Sequence, residues 1–248
     1  MSGDPFRGLA DRFIDHYGTL RGAVRHALVA RALEHHMDPS AGSVLDIGGG
    51  RGDQAAWLAT RGHRVTVLDP SNTMLARARA YLPSGVELIL GRGEEAQQLL
   101  PGRSFEAVLC HAVLPYIDDP RPLLEACASM VRSGGLVSIV AKNADALAMR
   151  PGLEGRWAEV PSAFDATGDV GGMGVATKAH RVSDLIRTLD LLGIEHVAWY
   201  GIRLFTDHFG GQPVPPDAED IIEAEWQAGC RDPYRGVARL VHVVGRRR

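Results

Sequence analysis

The chain has 248 residues, 45% of them apolar and 23% charged, with a net charge of −3; this argues against a disordered or fibrous chain, suits one α/β unit, and gives no global pull toward nucleic acid. Its cysteines, Cys110, Cys127 and Cys230, have no C-x-x-C spacing, which argues against a disulfide framework or a cysteine-ligated zinc and suits a reducing compartment; no metal is expected. The start "MSGDPFRGLADRF" lacks the apolar core of a secretion signal, and no apolar run approaches the ~20 residues that span a bilayer, so a cytoplasmic location without membrane partners is expected.

From Asp11 to about Met37, Phe13, Tyr17, Val24, Leu28 and Ala32 recur at helical spacing, broken at "YGTLRG"; this predicts two short helices around a turn. Then strands and helices alternate: "SVLDIG", "DQAAWLATRG", "HRVTVLD", "NTMLARARAYL" capped by Ser71, "VELILG", "EEAQQLL", "FEAVLCH", "PRPLLEACASMV" and "GLVSIVAKN". Strands this apolar, joined by helices, predict a doubly wound, mostly parallel sheet covered on both faces. Residues 144–180, with "TGDVGGMG", lose the period as an inserted lid or substrate segment does. Helix "SDLIRTLDLLG", strand "IEHVAWYGIRLF", helix "AEDIIEAEWQAG" and strand "VARLVHVVG" complete a seven-stranded sheet, the last two strands predicted as an antiparallel, hairpin-like edge. The expected organisation is one unit over 1–248: a helical cover at 1–40, the glycine-bearing core at 41–143, the insertion at 144–180, and the rest of the sheet at 181–248. Arg231, Arg235, Arg239, Arg246, Arg247 and Arg248 make the end locally basic, readable as a frayed, solvated tail or as a phosphate-contacting patch.

The glycine cluster carries the most chemistry. In a dinucleotide G-x-G-x-x-G loop aligned on Gly48 and Gly50, the third glycine position falls on Asp53, whose carboxylate would face the pyrophosphate. The phosphate-loop pattern fails too, because no lysine follows. What stands here is Asp46-x-Gly48-x-Gly50-x-Gly52. Such glycines allow close backbone approach, Asp46 suits an ammonium group or orients the loop, and Asp69, ending the second strand, can accept both hydroxyls of a ribose. S-adenosylmethionine meets that description: a ribose, an ammonium and no phosphate.

Asp46–Gly52, Asp69, "GRGEEA" and "HAVLPYIDDPRPLLEACASMVRSGGLVSIV" together resemble the class I S-adenosylmethionine-dependent methyltransferases, which have a Rossmann-like fold. "YGTLRGAVR", "HAVLPYIDDPRPLL", "AKNADALAM", "GIRLFTDHF" and "DPYRGVARLVHV" are similar to the bacterial tRNA 5-carboxymethoxyuridine methyltransferases. That resemblance implies an enzyme that esterifies the carboxylate of a modified wobble uridine and leaves S-adenosylhomocysteine. It also implies cofactor contacts by Arg25, Gly48, Gly49, Asp69, Gly93, Glu94 and His111. The insertion departs from the family, with "TGDVGGMG" where lysines are usual.

Arg25 offers paired donors for the methionine carboxylate of the cofactor, against a plain reading of Arg21 and Arg25 as exposed helix arginines. Met74 packs either on the adenine or in the core. His111 is readable as a base, a cofactor contact or a structural group. A phenol titrates at about 10 and needs a base, whereas a carboxylate, at ~4, is already a nucleophile near neutrality; no general base is assigned. A carboxylate acceptor does need a cation to orient it, and Arg203, Arg235 and Lys142 are the candidates near the predicted sheet edge. Trp157, Trp199, Tyr200 and Tyr234 serve either as stacking surfaces for a splayed base or as core. Two further readings stay open: a small-molecule acceptor from metabolite biosynthesis, and a cofactor-binding module without transferase activity.

Overall fold

The computed structural model describes residues 8, 15, 17–40, 42–170 and 174–248. The first predicted helix lies mostly outside them, as do three residues of the "TGDVGGMG" stretch. Helix α1 spans Leu20–His36, with the Thr19 hydroxyl accepting from the Gly22 N–H at 3.3 Å. The break in "YGTLRG" therefore falls at Thr19, and Gly22 sits buried inside the helix.

The alternating region folds as read. Strands β1 (Ser43–Ile47), β2 (Arg64–Asp69), β3 (Glu87–Leu90), β4 (Phe105–His111) and β5 (Val131–Lys142) pair in parallel. Helices α2 (Asp53–Thr60), α3 (Asn72–Tyr81), α4 (Ala96–Leu99) and α5 (Arg121–Met130) connect them. Ser71 caps α3, accepting from the Met74 N–H at 3.2 Å, as predicted. Consecutive strand residues feed opposite cores: Val44 packs on the face covered by α1 and α2, and Leu45 on the face covered by α5. That two-sided burial is why these strands read as unbroken apolar runs.

The insertion is more regular than its sequence suggests. It holds α6 (Met149–Leu153), α7 (Val160–Ala163) and a hairpin of β6 (Gly168–Val170) with β7 (Ala176–Lys178). Then come α8 (Val182–Leu191), β8 (Ile194–Ile202), α9 (Ala218–Gly229) and β9 (Leu240–Arg247). The strand order is β3-β2-β1-β4-β5-β9-β8. The last two strands do pair antiparallel, but the reversed strand β9 lies inside the sheet, between β5 and β8, and α9 separates the two along the chain. Because β9 runs backwards, its start meets the carboxyl ends of β5 and β8: Leu240 is opposite both Lys142 and Ile202. One edge of the sheet thus collects the carboxyl ends of six strands and the beginning of the seventh.

The basic end is neither a frayed tail nor a patch. Arg246 donates to the Gly134 and His36 carbonyls at 3.0 and 2.6 Å, Arg247 to the Ala128 carbonyl, and Arg248 pairs with Asp190. These arginines clamp the closing strand to its neighbours.

Candidate active site

A cavity of about 560 Å³ opens at that edge, within the range of small-molecule sites. It begins at the crevice where strand order reverses about β1, the usual ligand position in open α/β sheets, and extends along the strand ends to β9. That is three inter-strand steps, about 14 Å at ~4.8 Å each.

Gly48, Gly50, Asp69, Met74 and His111 line its β1–β2–β4 side, with Tyr17 and Arg25 from the N-terminal cover. Gly48 and Gly50 adopt φ of +69° and +59°, a left-handed region that favours glycine. A Cβ on Gly48 would collide with Val113, so the bare backbone is a requirement of the wall itself. Asp69, 3% exposed, accepts from the Gly50 N–H and the Ser71 N–H, each at 2.9 Å. It ties the glycine loop to the start of α3 at the cavity wall. The Arg25 guanidinium lies 4.7 Å above the Tyr17 ring. Met74 is buried and also lines the cavity.

A second chamber of about 40 Å³ lies behind the loop, lined by Asp46, Gly49, His26, Gln54 and Asp53 among others. Burial, then the charges of Asp69 and Asp53, push the Asp46 carboxyl up to about 7. Asp53 is held by Arg51, 3.2 Å from its Nε, at the first turn of α2, where a pyrophosphate would need room. Gly52 caps α2 against Leu82, and Gly93 packs against Leu123 and Ile47. Neither of them, nor Glu94 (3.5 Å from Arg92), lines either cavity.

His111 is built into the sheet. Its Nε2 lies 2.8 Å from the Ser138 hydroxyl, which lies 2.7 Å from Nε2 of the fully buried His242. Burial and the neighbouring His242 and Arg25 hold the His111 imidazole well below its usual range, hence neutral.

The β5–β9 side of the cavity is cationic. Arg21, Lys142, Arg150, Arg203 and Arg239 all line it. Lys142, 6% exposed, is brought down to about 8 by burial and Arg239 against the pull of Asp169. Arg203, 7% exposed, is brought down to about 10, mainly by burial. Arg239 donates to Asp169 at 2.6 Å, and its Nη1 is buried without a partner. The described non-glycine residues with positive φ, Ala112 and Arg203, both line this cavity, in keeping with strain gathering at functional sites.

Lys142 and Arg203 are therefore where the sequence put them, but Arg235 is not. It forms a two-pronged contact with Asp232 at 2.8 and 2.6 Å, covers Trp199 at 4.0 Å, and does not line the cavity. Arg21, Arg150 and Arg239 were not expected there. Tyr200 stacks on Trp226 at 5.1 Å and bonds His36, Trp199 is partly buried, and Trp157 and Tyr234 are exposed.

Residues 45–139 match the family model described as methyltransferase domain. The chain is 29% identical to the tRNA 5-carboxymethoxyuridine methyltransferase of Escherichia coli O157:H7, over 98% of this chain and 95% of that one. It is 33% identical to a ubiquinone biosynthesis O-methyltransferase of Xanthomonas axonopodis, over 53% of this chain and 56% of that one. Among solved structures, an S-adenosylmethionine dependent methyltransferase from Mesorhizobium loti shares the fold with a TM-score of 0.62 at 19% identity, covering 90% of this chain and 100% of that one. With the sheet order and the glycine-lined crevice, these matches define an S-adenosylmethionine-dependent methyltransferase of the class I, Rossmann-like fold. Along its whole length the chain is most usefully compared with the tRNA 5-carboxymethoxyuridine methyltransferases.

Proposed function

We propose that this enzyme esterifies a carboxylate, that of a 5-carboxymethoxy group on a modified tRNA wobble uridine, acting in the cytoplasm. The observation that carries the reading is the convergence of Lys142, Arg150, Arg203 and Arg239 on one wall of the cavity, beside the glycine-lined crevice. An alcohol or phenol acceptor has no use for so many buried cations, whereas a carboxylate matches guanidinium forks directly.

The residues facing the crevice fit the cofactor: Asp69 for the ribose, Gly48 and Gly50 for close backbone approach, Met74 for the adenine, Arg25 for the methionine carboxylate, and Asp46 with Gly49 near the ammonium. Gly52 shapes the loop, His111 would flank the bound cofactor from the cavity wall, and Gly93 and Glu94 would act on it only from outside the cavity. Bound there, S-adenosylmethionine supplies a methyl carbon made electrophilic by a sulfonium sulfur and departs as S-adenosylhomocysteine. The acceptor is already anionic near neutrality, so no side chain has to take a proton. A neutral His111 fixed on Ser138 accords with that. Arg150, Arg203, Arg239 and Lys142 hold one carboxylate oxygen toward the crevice, and the enclosing wall excludes water; the rate advantage comes from placement.

The test is nucleoside mass spectrometry on tRNA from a deletion strain. Unesterified 5-carboxymethoxyuridine should accumulate, and the purified protein should convert it to the methyl ester; tRNA of unchanged nucleoside composition would refute the assignment. One observation favours a small carboxylate metabolite instead: surface arginines such as Arg31, Arg61, Arg103, Arg121 and Arg187 each sit on a carboxylate of their own chain. Ionic strength separates the two, because phosphate contacts release counterions and a metabolite makes few.

A further inference from the structure

The cations on the acceptor wall come from distant segments: Arg21 from α1, Arg150 from α6 of the insertion, Arg203 from the end of β8, and Arg239 from just before β9. Like charges brought this close should splay apart. One carboxylate that does not itself line the cavity faces all four, with Asp169 holding Arg239 as well. Asp207, 6% exposed, accepts from Nε and Nη2 of Arg150 at 2.8 and 2.7 Å. Arg203 Nη2 pairs with it at 3.1 Å and Arg239 Nε lies at 3.7 Å, while its backbone carbonyl accepts from Arg21 at 3.2 Å.

Asp207 is in turn fixed from behind. The carboxylate of Glu225, 1% exposed on α9, accepts the N–H groups of Leu204, Phe205 and Thr206 at 2.7, 3.0 and 2.8 Å, and the Thr206 hydroxyl at 2.6 Å. These four bonds seat the turn that begins at Asp207. A rigid path therefore runs from α9 through the loop and Asp207 to the guanidinium groups. Burial opposes ionisation of Asp207, but Arg203, Arg150, Arg239 and Arg21 together hold its carboxyl below the usual range, so it is charged at neutral pH.

We infer that Asp207 is the positioning residue of the acceptor site, fixing the directions of Arg150 and Arg203, and together with Asp169 that of Arg239, so that an incoming carboxylate meets aligned donors instead of having to gather them. The inference rests on the carboxylate reading above, and its role is geometric: removing the Asp207 charge leaves the pocket more positive, not less.

Asp207→Asn keeps the volume and removes that charge. In methyl transfer to an anticodon stem–loop carrying 5-carboxymethoxyuridine, kcat should fall by at least about tenfold, because misplacement acts on the oriented state. The acceptor KM should move by less than about threefold, and calorimetric affinity for S-adenosylhomocysteine should stay constant. An unchanged kcat, or a kcat that falls together with cofactor affinity, would overturn the inference. Arg150→Lys retains the charge but loses the two-pronged contact from a residue on the lid; it should give the same kcat-selective loss even if Asp207→Asn folds poorly. Should the wild-type enzyme esterify no carboxylate, the functional reading falls separately. A crystal structure of Asp207→Asn then still decides, since displaced Arg150 and Arg203 guanidinium groups support the role and unmoved ones refute it.

Discussion

At the scale of single residues, the two acids beside the glycine loop, Asp46 in β1 and Asp69 at the end of β2, behave differently. Asp69 holds two backbone N–H groups at 2.9 Å, so Asp69→Ala removes both a loop clamp and the proposed ribose partner. Calorimetry should show cofactor affinity lower by an order of magnitude or more; unaltered affinity refutes the assignment. Asp46 keeps its proton to about pH 7, against 3.8 for a free carboxyl. The folded chain thus binds a proton that the unfolded chain has lost. Stability of the cofactor-free protein should fall as pH rises from about 4 to 7, by up to about 1.4 kcal/mol per unit from this group, and then level off. Denaturant melts of Asp46→Asn should lack that component. An ammonium docking beside Asp46 favours the carboxylate, so cofactor binding at pH 6 should release a proton. Binding heats that do not vary between buffers of different ionisation enthalpy would exclude Asp46 as the ammonium partner.

At the scale of elements, the side chain of Asp169 ties the β6–β7 hairpin to the sheet, next to the Thr177 hydroxyl, which Lys142 also reaches. Asp169 pairs with Lys142 at the end of β5 and with Arg239 before β9. Burial raises its carboxyl, but Arg239 and Lys142 prevail and bring it down to about 2. The tie is complete above about pH 4 and is lost as pH falls through about 2. Asp169→Asn should reproduce the low-pH state at neutrality, with faster hydrogen exchange across β6 and β7 and unchanged exchange in β1 and β4. Equal protection in both proteins would show that the hairpin is held by other contacts. This tie was invisible in the sequence: "TGDVGGMG" reads as a glycine-rich interruption, and nothing local links Asp169 to residues 27 and 70 positions away.

At the scale of the whole molecule, local patterns revealed the parallel core and the cofactor crevice, because both depend on contiguous signals: apolar strands, glycines at alternate positions, an acid ending a strand. The acceptor wall depends on the reversal of β9, which no periodicity announces. That reversal brings Arg239 beside Lys142 and Arg203, so an arginine that reads as part of a basic tail becomes a buried group. Arg235, four residues earlier, faces Asp232 and Trp199 instead. Asp207 did stand inside a family-like stretch, "GIRLFTDHF", that extends beyond its strand. Past Ile202 that stretch carries only a short 3-10 turn, Asp207–Phe209, so no periodicity singled Asp207 out; its place in the family-like stretch was the available hint.

If the acceptor is the carboxylate proposed above, the acids behind the wall, Asp207 and Asp169, also give the catalytic cycle a direction. Methylation turns an anionic guest into a neutral one, which no longer competes with the enzyme's own carboxylates for the guanidinium groups. The cluster then closes on itself and the finished ester loses its hold, so turnover should proceed with little product inhibition: the methyl ester should inhibit at least about tenfold more weakly than the free acid binds, a gap of ~1.4 kcal/mol.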